Sequence, residues 1–339
     1  MKAPFVWFGG KRRVADVVWS ALGDVDNYVE PFAGSLACLL ERPHDLGDGK
    51  RRAETVNDAD GFLANFWRAL AHAPDDVARW CDWPVNEVDL FARHLWLVNT
   101  GRSRLLEGLE SDPEFYDAQI AGWWVWGVNA WIGSGWCSGT GPWVTDGATV
   151  SKLPHLGGAG RGVNRQLPHL GDAELKGYNR AETRPAVADY FAELAARLRH
   201  VRVCCGDWSR VVTPGALSYG STVGVFLDPP YHGDVRTADL YAVDDHMISH
   251  TVRDWCLANG DNPRLRIVLA GYGPEHDHLM PDTWRRHSYS ASVAYSTTAS
   301  AQRQDGNHAN RHTEMLWFSP HCLNPADATP TLFDIGEAS

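Results

Sequence analysis

An aspartate, two prolines and a tyrosine, Asp228-Pro229-Pro230-Tyr231, follow directly on the apolar run Val223 to Leu227. The run reads as a buried strand that delivers one carboxylate at its C-terminal end. The prolines fix φ and remove two backbone donors, so the chain is stiff there and its carbonyls are free to accept. One acid, one or two carbonyl acceptors and one aromatic face suit a planar substrate that bears an amine. The carboxylate and a carbonyl accept its two N–H bonds, and its ring stacks on Tyr231. Ligands of open α/β sheets bind beyond the strand C-termini, which is where this tetrapeptide falls. Four specified residues arise by chance in such a chain with a probability on the order of 10⁻³, so a plain proline turn is a poor account of them.

Three further stretches suit a nucleotide-like ligand. Tyr28-Val29-Glu30-Pro31-Phe32-Ala33-Gly34-Ser35 follows a short strand and opens a helix, and its small residues let the backbone come close to a ligand. Val56-Asn57-Asp58 ends a strand in an acid about two dozen residues after that loop, the spacing of a carboxylate that binds ribose hydroxyls. Asp58 also fits as the cap of a helix beginning at Gly61. At the N-terminus, Trp7-Phe8-Gly9-Gly10-Lys11 joins flexible glycines to a cation suited to a carboxylate.

These groups need a scaffold, and the pattern is one of strands alternating with helices, which gives a mostly parallel sheet. Strands are expected at Asn27 to Glu30, Glu54 to Asn57, Val201 to Cys205, Val223 to Leu227, Leu265 to Ala270 and Glu314 to Phe318, with a weaker one at Ala291 to Tyr295. Helices are expected at Lys11 to Leu22, Ser35 to Glu41, Gly61 to Ala71, Val187 to Arg199 and Asp245 to Ala258. From about Leu90 to Thr183 the rhythm stops. Trp123, Trp124, Trp126, Trp131, Trp136 and Trp143 crowd among glycines, and Leu-Pro-His-Leu-Gly occurs twice, at 153–157 and 167–171. Two copies do not make a solenoid. The span reads as an inserted domain with a Gly-rich loop from Ser151 to Asn179; packing in that domain's core is one reading of its tryptophans, whose role the sequence leaves open.

The chain has 339 residues, 44% of them hydrophobic and 22% charged, enough for a large domain plus a smaller inserted one. No apolar run reaches membrane-spanning length and Met1 to Arg13 lacks the features of a signal peptide, so a cytoplasmic protein is expected. Seven cysteines with no Cys-x-x-Cys pair suggest neither a disulfide framework nor a metal site. The net charge of −11 argues mildly against a nucleic-acid partner. The distribution softens that. Lys2, Lys11, Arg12 and Arg13 stand without an acid, and Lys152, Arg161, Arg165, Lys176, Arg180 and Arg184 outnumber Asp172, Glu174 and Glu182 in their stretch. A basic face on an acidic protein is compatible with DNA binding.

Taken in order, the four motifs resemble the Dam-type (alpha-group) N6-adenine-specific DNA methyltransferases. That family has a Trp-x-Gly-Gly-Lys start, a Glu-Pro-Phe-x-Gly loop, an acid after the second strand, an inserted target-recognition domain and a late Asp-Pro-Pro-Tyr. The likeness covers roughly residues 4–72 and 187–318. It implies a Rossmann-like α/β methyltransferase sheet with its last strand antiparallel. A discontinuous catalytic domain (1–89 and 184–320), an inserted target-recognition domain (90–183) and a tail (321–339) follow from it. It also implies S-adenosylmethionine as cofactor, double-stranded DNA as partner, no metal, and a monomer encoded by a bacterium or phage. The cofactor residues it assigns are Trp7, Lys11, Glu30, Phe32, Ala33, Gly34, Asp58, Asp207 and Asp228. Asp228, Pro229, Pro230 and Tyr231 serve the target adenine, which is flipped out of the duplex. The family loop reads Phe-x-Gly-x-Gly, whereas this chain has Leu36 at the second glycine; Leu36 is expected to point into the sheet. Two other readings stay open: an RNA adenine methyltransferase, and a DNA-binding protein on the same fold with impaired catalysis. Asp228 speaks against protein-amide and cytosine-N4 methylation, where Asn and Ser are usual.

Overall fold

The computed structural model describes residues 1–5, 7, 11–43, 49–112, 114–131, 136–137, 184–230, 245–289 and 314–324. Its centre is set by strands with no exposed face. β1 (Asn27–Glu30) and β4 (Val223–Leu227) are buried at every residue. Strands covered on both faces belong inside a parallel sheet flanked by helices. β1 accordingly pairs in parallel with β2 (Ala53–Asp58) on one side and with β4 on the other. β3 (Val201–Cys205) extends the sheet beyond β2, and β5 (Leu265–Tyr272) extends it beyond β4, both in parallel. β7 (Glu314–Phe318) runs antiparallel between β5 and β6 (Arg285–Tyr289), giving the order β3-β2-β1-β4-β5-β7-β6. This mostly parallel sheet with one reversed strand is the Rossmann-like methyltransferase fold expected from the sequence.

Alternate residues of the strands feed two cores, as the two-residue period of a strand requires. Phe226, Val268 and Ala270 join the core under α1 (Arg12–Leu22), α2 (Ala37–Leu40), α3 (Gly61–His72) and α8 (Arg184–Leu198). Val225, Leu227, Ile267 and Leu269 face the other way, toward α9 (Asp245–Asn259) and the 3₁₀ turn Trp208–Val211. The short helix α10 (Gly273–His276) follows β5 directly.

Between α3 and α8 the described chain is helical: α4 (Pro74–Cys81), α5 (Glu87–Trp96), a π turn (Leu97–Gly101), α6 (Arg102–Ser111) and α7 (Ala118–Ala130). α7 holds much of the tryptophan-rich stretch, and Trp124 and Trp126 are fully buried. Trp124 lies 5.2 Å from the ring of Phe5 and 5.8 Å from Phe66, so this helix shares the core of α3. The side-chain amide of Asn65 donates to the Asp117 carbonyl and its oxygen accepts from the Asp117 amide, which ties the two helices together. Gly122 and Gly127 lower helix propensity but are where Trp80 and Trp136 lie against the helix; a Cβ at either would collide with that tryptophan. Tyr231, Trp143, Ala291 to Tyr295, the repeated Leu-Pro-His-Leu-Gly, the Gly-rich loop and the tail from residue 325 lie outside the described residues.

Candidate active site

The strand order turns at β1, with β2 and β3 to one side and β4 and β5 to the other. Such a switch point opens a crevice at the strand C-termini, where ligands bind in open α/β sheets. Loops after β1, β2 and β4 converge there.

Asn57 holds the first two loops and the one after β3 together. Its carbonyl accepts from the Ala33 amide (2.9 Å), and its Nδ2 donates to the carbonyls of Pro31 (3.0 Å) and Gly206 (2.9 Å). Asp58 accepts from the amides of Gly34 and Asp60, each at 3.0 Å. Burial pushes the Asp58 carboxyl up to about 6, against the pull of these amide bonds. Gly34 has φ 47°, and a Cβ there would sit 2.5 Å from Trp7 Cδ1, so only glycine lets the indole of Trp7 close over the loop. The Gly34 carbonyl accepts from Trp67 Nε1 at 3.2 Å. The phenyl ring of Phe32 stacks on Trp208, with centroids 6.1 Å apart.

Leu36 occupies the left-handed region, φ 57° and ψ 25°, with its side chain fully buried in the core. The backbone conformation is the one glycine would favour, and the leucine side chain is turned away from the crevice. Glu30 is also buried and accepts from the Tyr28 hydroxyl at 2.9 Å. Burial, opposed by that bond and reinforced by the charge of Asp228, raises its carboxyl to about 8, so it is mostly protonated at neutral pH. Asp207 is exposed and caps the 3₁₀ turn, accepting from the Ser209 amide at 2.9 Å.

Asp228 stands at the end of β4 with its side chain 19% exposed. Lys11, at the start of α1 and 5% exposed, brings Nζ within 3.1 Å of Asp228 Oδ1 and 3.9 Å of Glu314 Oε2. The same ammonium lies 5.9 Å from the centroid of Tyr289. Pro229 is buried and Pro230 half-buried. The structure thus gathers Trp7, Phe32, Ala33, Gly34 and Asp58 on the β1–β2 side and Lys11, Asp228 and the prolines on the β4 side. Sequence reading passed over Asn57, Trp67 and Glu314 as site residues. Asn57 stands within a quoted motif, but its three-loop bond pattern has no signature in one chain.

The seven-stranded, mostly parallel sheet is consistent with a Rossmann-like methyltransferase fold. Residues 7–82 match the family model described as D12 class N6 adenine-specific DNA methyltransferase. The match agrees with the Dam-type resemblance and supports adenine-N6 methylation of DNA as the class of activity. It spans Trp7, Lys11, Glu30, Phe32, Ala33, Gly34 and Asp58; Asp207 and Asp228 fall beyond it. No curated protein matches the chain. Among the described residues no helix is long and apolar enough to cross a membrane.

Proposed function

We propose that the protein transfers a methyl group from S-adenosylmethionine to the exocyclic amine of an adenine flipped out of double-stranded DNA. The observation that carries this reading is the placement of Asp228 and its stiff Pro-Pro loop at the switch point, one strand from the Gly34–Asp58 cradle. The chemistry of the cradle fits the cofactor: Gly34 lets the Trp7 indole close on the loop, the Asp58 carboxylate beside it would accept from ribose hydroxyls, and Leu36 is withdrawn into the core. When bound, S-adenosylmethionine supplies a sulfonium whose methyl carbon is the electrophile. Trp7, Phe32 and Ala33 would line the loop that holds it, Asp207 would serve its adenine end and Lys11 its methionine end.

The adenine amine is a weak nucleophile because its lone pair is delocalised into the ring. Asp228 and the Pro229 carbonyl accept its two N–H bonds, localise that pair and aim it. Positioning and fixed charge therefore supply most of the rate, without a strong base. Flipping the base costs a few kcal/mol, part of which stacking on Tyr231 returns. The span 90–183 reads the duplex, with its Lys and Arg on phosphates and other groups at base edges. The test is transfer of labelled methyl from S-adenosylmethionine to mixed-sequence duplex DNA, followed by nucleoside mass spectrometry. N6-methyladenine is expected; label in RNA alone, or in no base, would overturn the proposal.

A further inference from the structure

One ammonium in the crevice stands between two carboxylates. Lys11 Nζ is 3.1 Å from Asp228 and 3.9 Å from Glu314, and Lys11 is almost wholly buried. Glu314 is the first residue of β7, fixed in register opposite Tyr272 of β5 and Tyr289 of β6. That register sets its side chain beside Lys11 and Tyr289 rather than at the outer sheet edge. Its Oε2 is buried and has no hydrogen-bond partner among the described residues. A buried carboxylate oxygen left without a donor is costly, and the nearest ammonium stops just short of it.

We propose that Glu314 is a positioning residue that takes Lys11 from Asp228 when the target amine arrives. The idea rests on the proposed function. Asp228 cannot give its full acceptor strength to an incoming amine while an ammonium sits at 3.1 Å on one of its oxygens. A shift of Lys11 by less than an ångström makes a direct bond to Glu314. It satisfies the orphan oxygen, keeps the buried cation beside a carboxylate and lengthens its contact with the Asp228 oxygen. No proton changes hands in this exchange.

Two arms test it. In the first, lysine acetylation by a small reagent is followed at Lys11 by mass spectrometry, with no cofactor or DNA. Asp228→Asn should leave Lys11 protected, because Glu314 holds it; Asp228→Asn with Glu314→Gln should label about tenfold faster. Equal labelling of the two variants overturns the proposal, whether or not the protein methylates DNA. In the second, Glu314→Gln should lower the single-turnover methylation rate about tenfold or more, the scale of misplaced catalytic groups. Affinities for cofactor and duplex should stay within about twofold. In a Lys11→Met background the same change should add less than about twofold, since Glu314 acts through Lys11. A full additional loss there, or a wild-type rate in Glu314→Gln, overturns the handover. Wild-type protein that methylates no DNA counts against the proposed function instead, and the labelling arm still decides this one.

Discussion

Leu36 combines a left-handed backbone with a fully buried side chain, so two replacements there separate the cost of one from the value of the other. Leu36→Ala removes the packed isobutyl group, which costs roughly 3–5 kcal/mol in a core. It keeps the unfavourable backbone, worth about 1–2 kcal/mol for a residue with a Cβ. Leu36→Gly removes the same side chain and relieves the backbone, but gives the unfolded chain extra freedom worth roughly 0.5–1 kcal/mol. Glycine should therefore be the more stable of the two by roughly 0.5–1 kcal/mol, with both below wild type. This reverses the order seen at an ordinary helical or strand position. Urea unfolding followed by tryptophan fluorescence reads it as a difference in midpoint at constant slope. An alanine variant as stable as the glycine variant would refute the backbone argument. Wild-type stability in both would refute the burial argument. Because the side chain is turned from the crevice, each variant, where folded, should keep its cofactor affinity within about threefold.

Gly34→Ala puts a Cβ against Trp7 in a left-handed backbone. It should cost about 1–2 kcal/mol in thermal unfolding and weaken cofactor binding by calorimetry. Glu30 has its carboxyl raised to about 8 by burial, so its contribution to stability is full below its ordinary range and is lost as pH rises through about 8. Glu30→Gln, which imitates the protonated form, should flatten the melting temperature across that window; an unchanged pH profile would contradict the burial argument. Burial likewise raises the Asp58 carboxyl to about 6, and in its proposed role it accepts ribose hydroxyls best when ionised. Affinity for S-adenosylhomocysteine should fall by up to about tenfold per pH unit below 6, and Asp58→Asn should bind weakly with no such dependence.

The sheet was largely legible because its strands are short apolar runs that end at Gly, Pro or Asp. β1, β3, β4 and β7 fall where the runs place them. β6 was not legible: Arg-Arg-His-Ser-Tyr carries no apolar alternation, and as an edge strand with three exposed residues it needs none. α7 was hidden by its glycines and tryptophans, which read as irregular chain until Trp80 and Trp136 are seen packed on them. In the crevice, the meeting of the Gly34 loop with Asp58 was legible from motif spacing. The pairing of Lys11 with Asp228 was not, since the two meet only through the order of the strands. The same holds for Glu314, whose place beside Lys11 depends on β7 entering the sheet between β5 and β6.

The central claim is that Asp228 is the acceptor for the target amine in a site that binds its cofactor independently. The most direct measurement compares N6-methyladenine formation on duplex DNA by wild type and Asp228→Ala, each with its cofactor affinity determined by calorimetry. The account predicts a loss of at least about 100-fold in rate, the scale of a removed positioning and charge-stabilising group, with cofactor binding changed by no more than a few-fold. A variant that methylates adenine at the wild-type rate would contradict it.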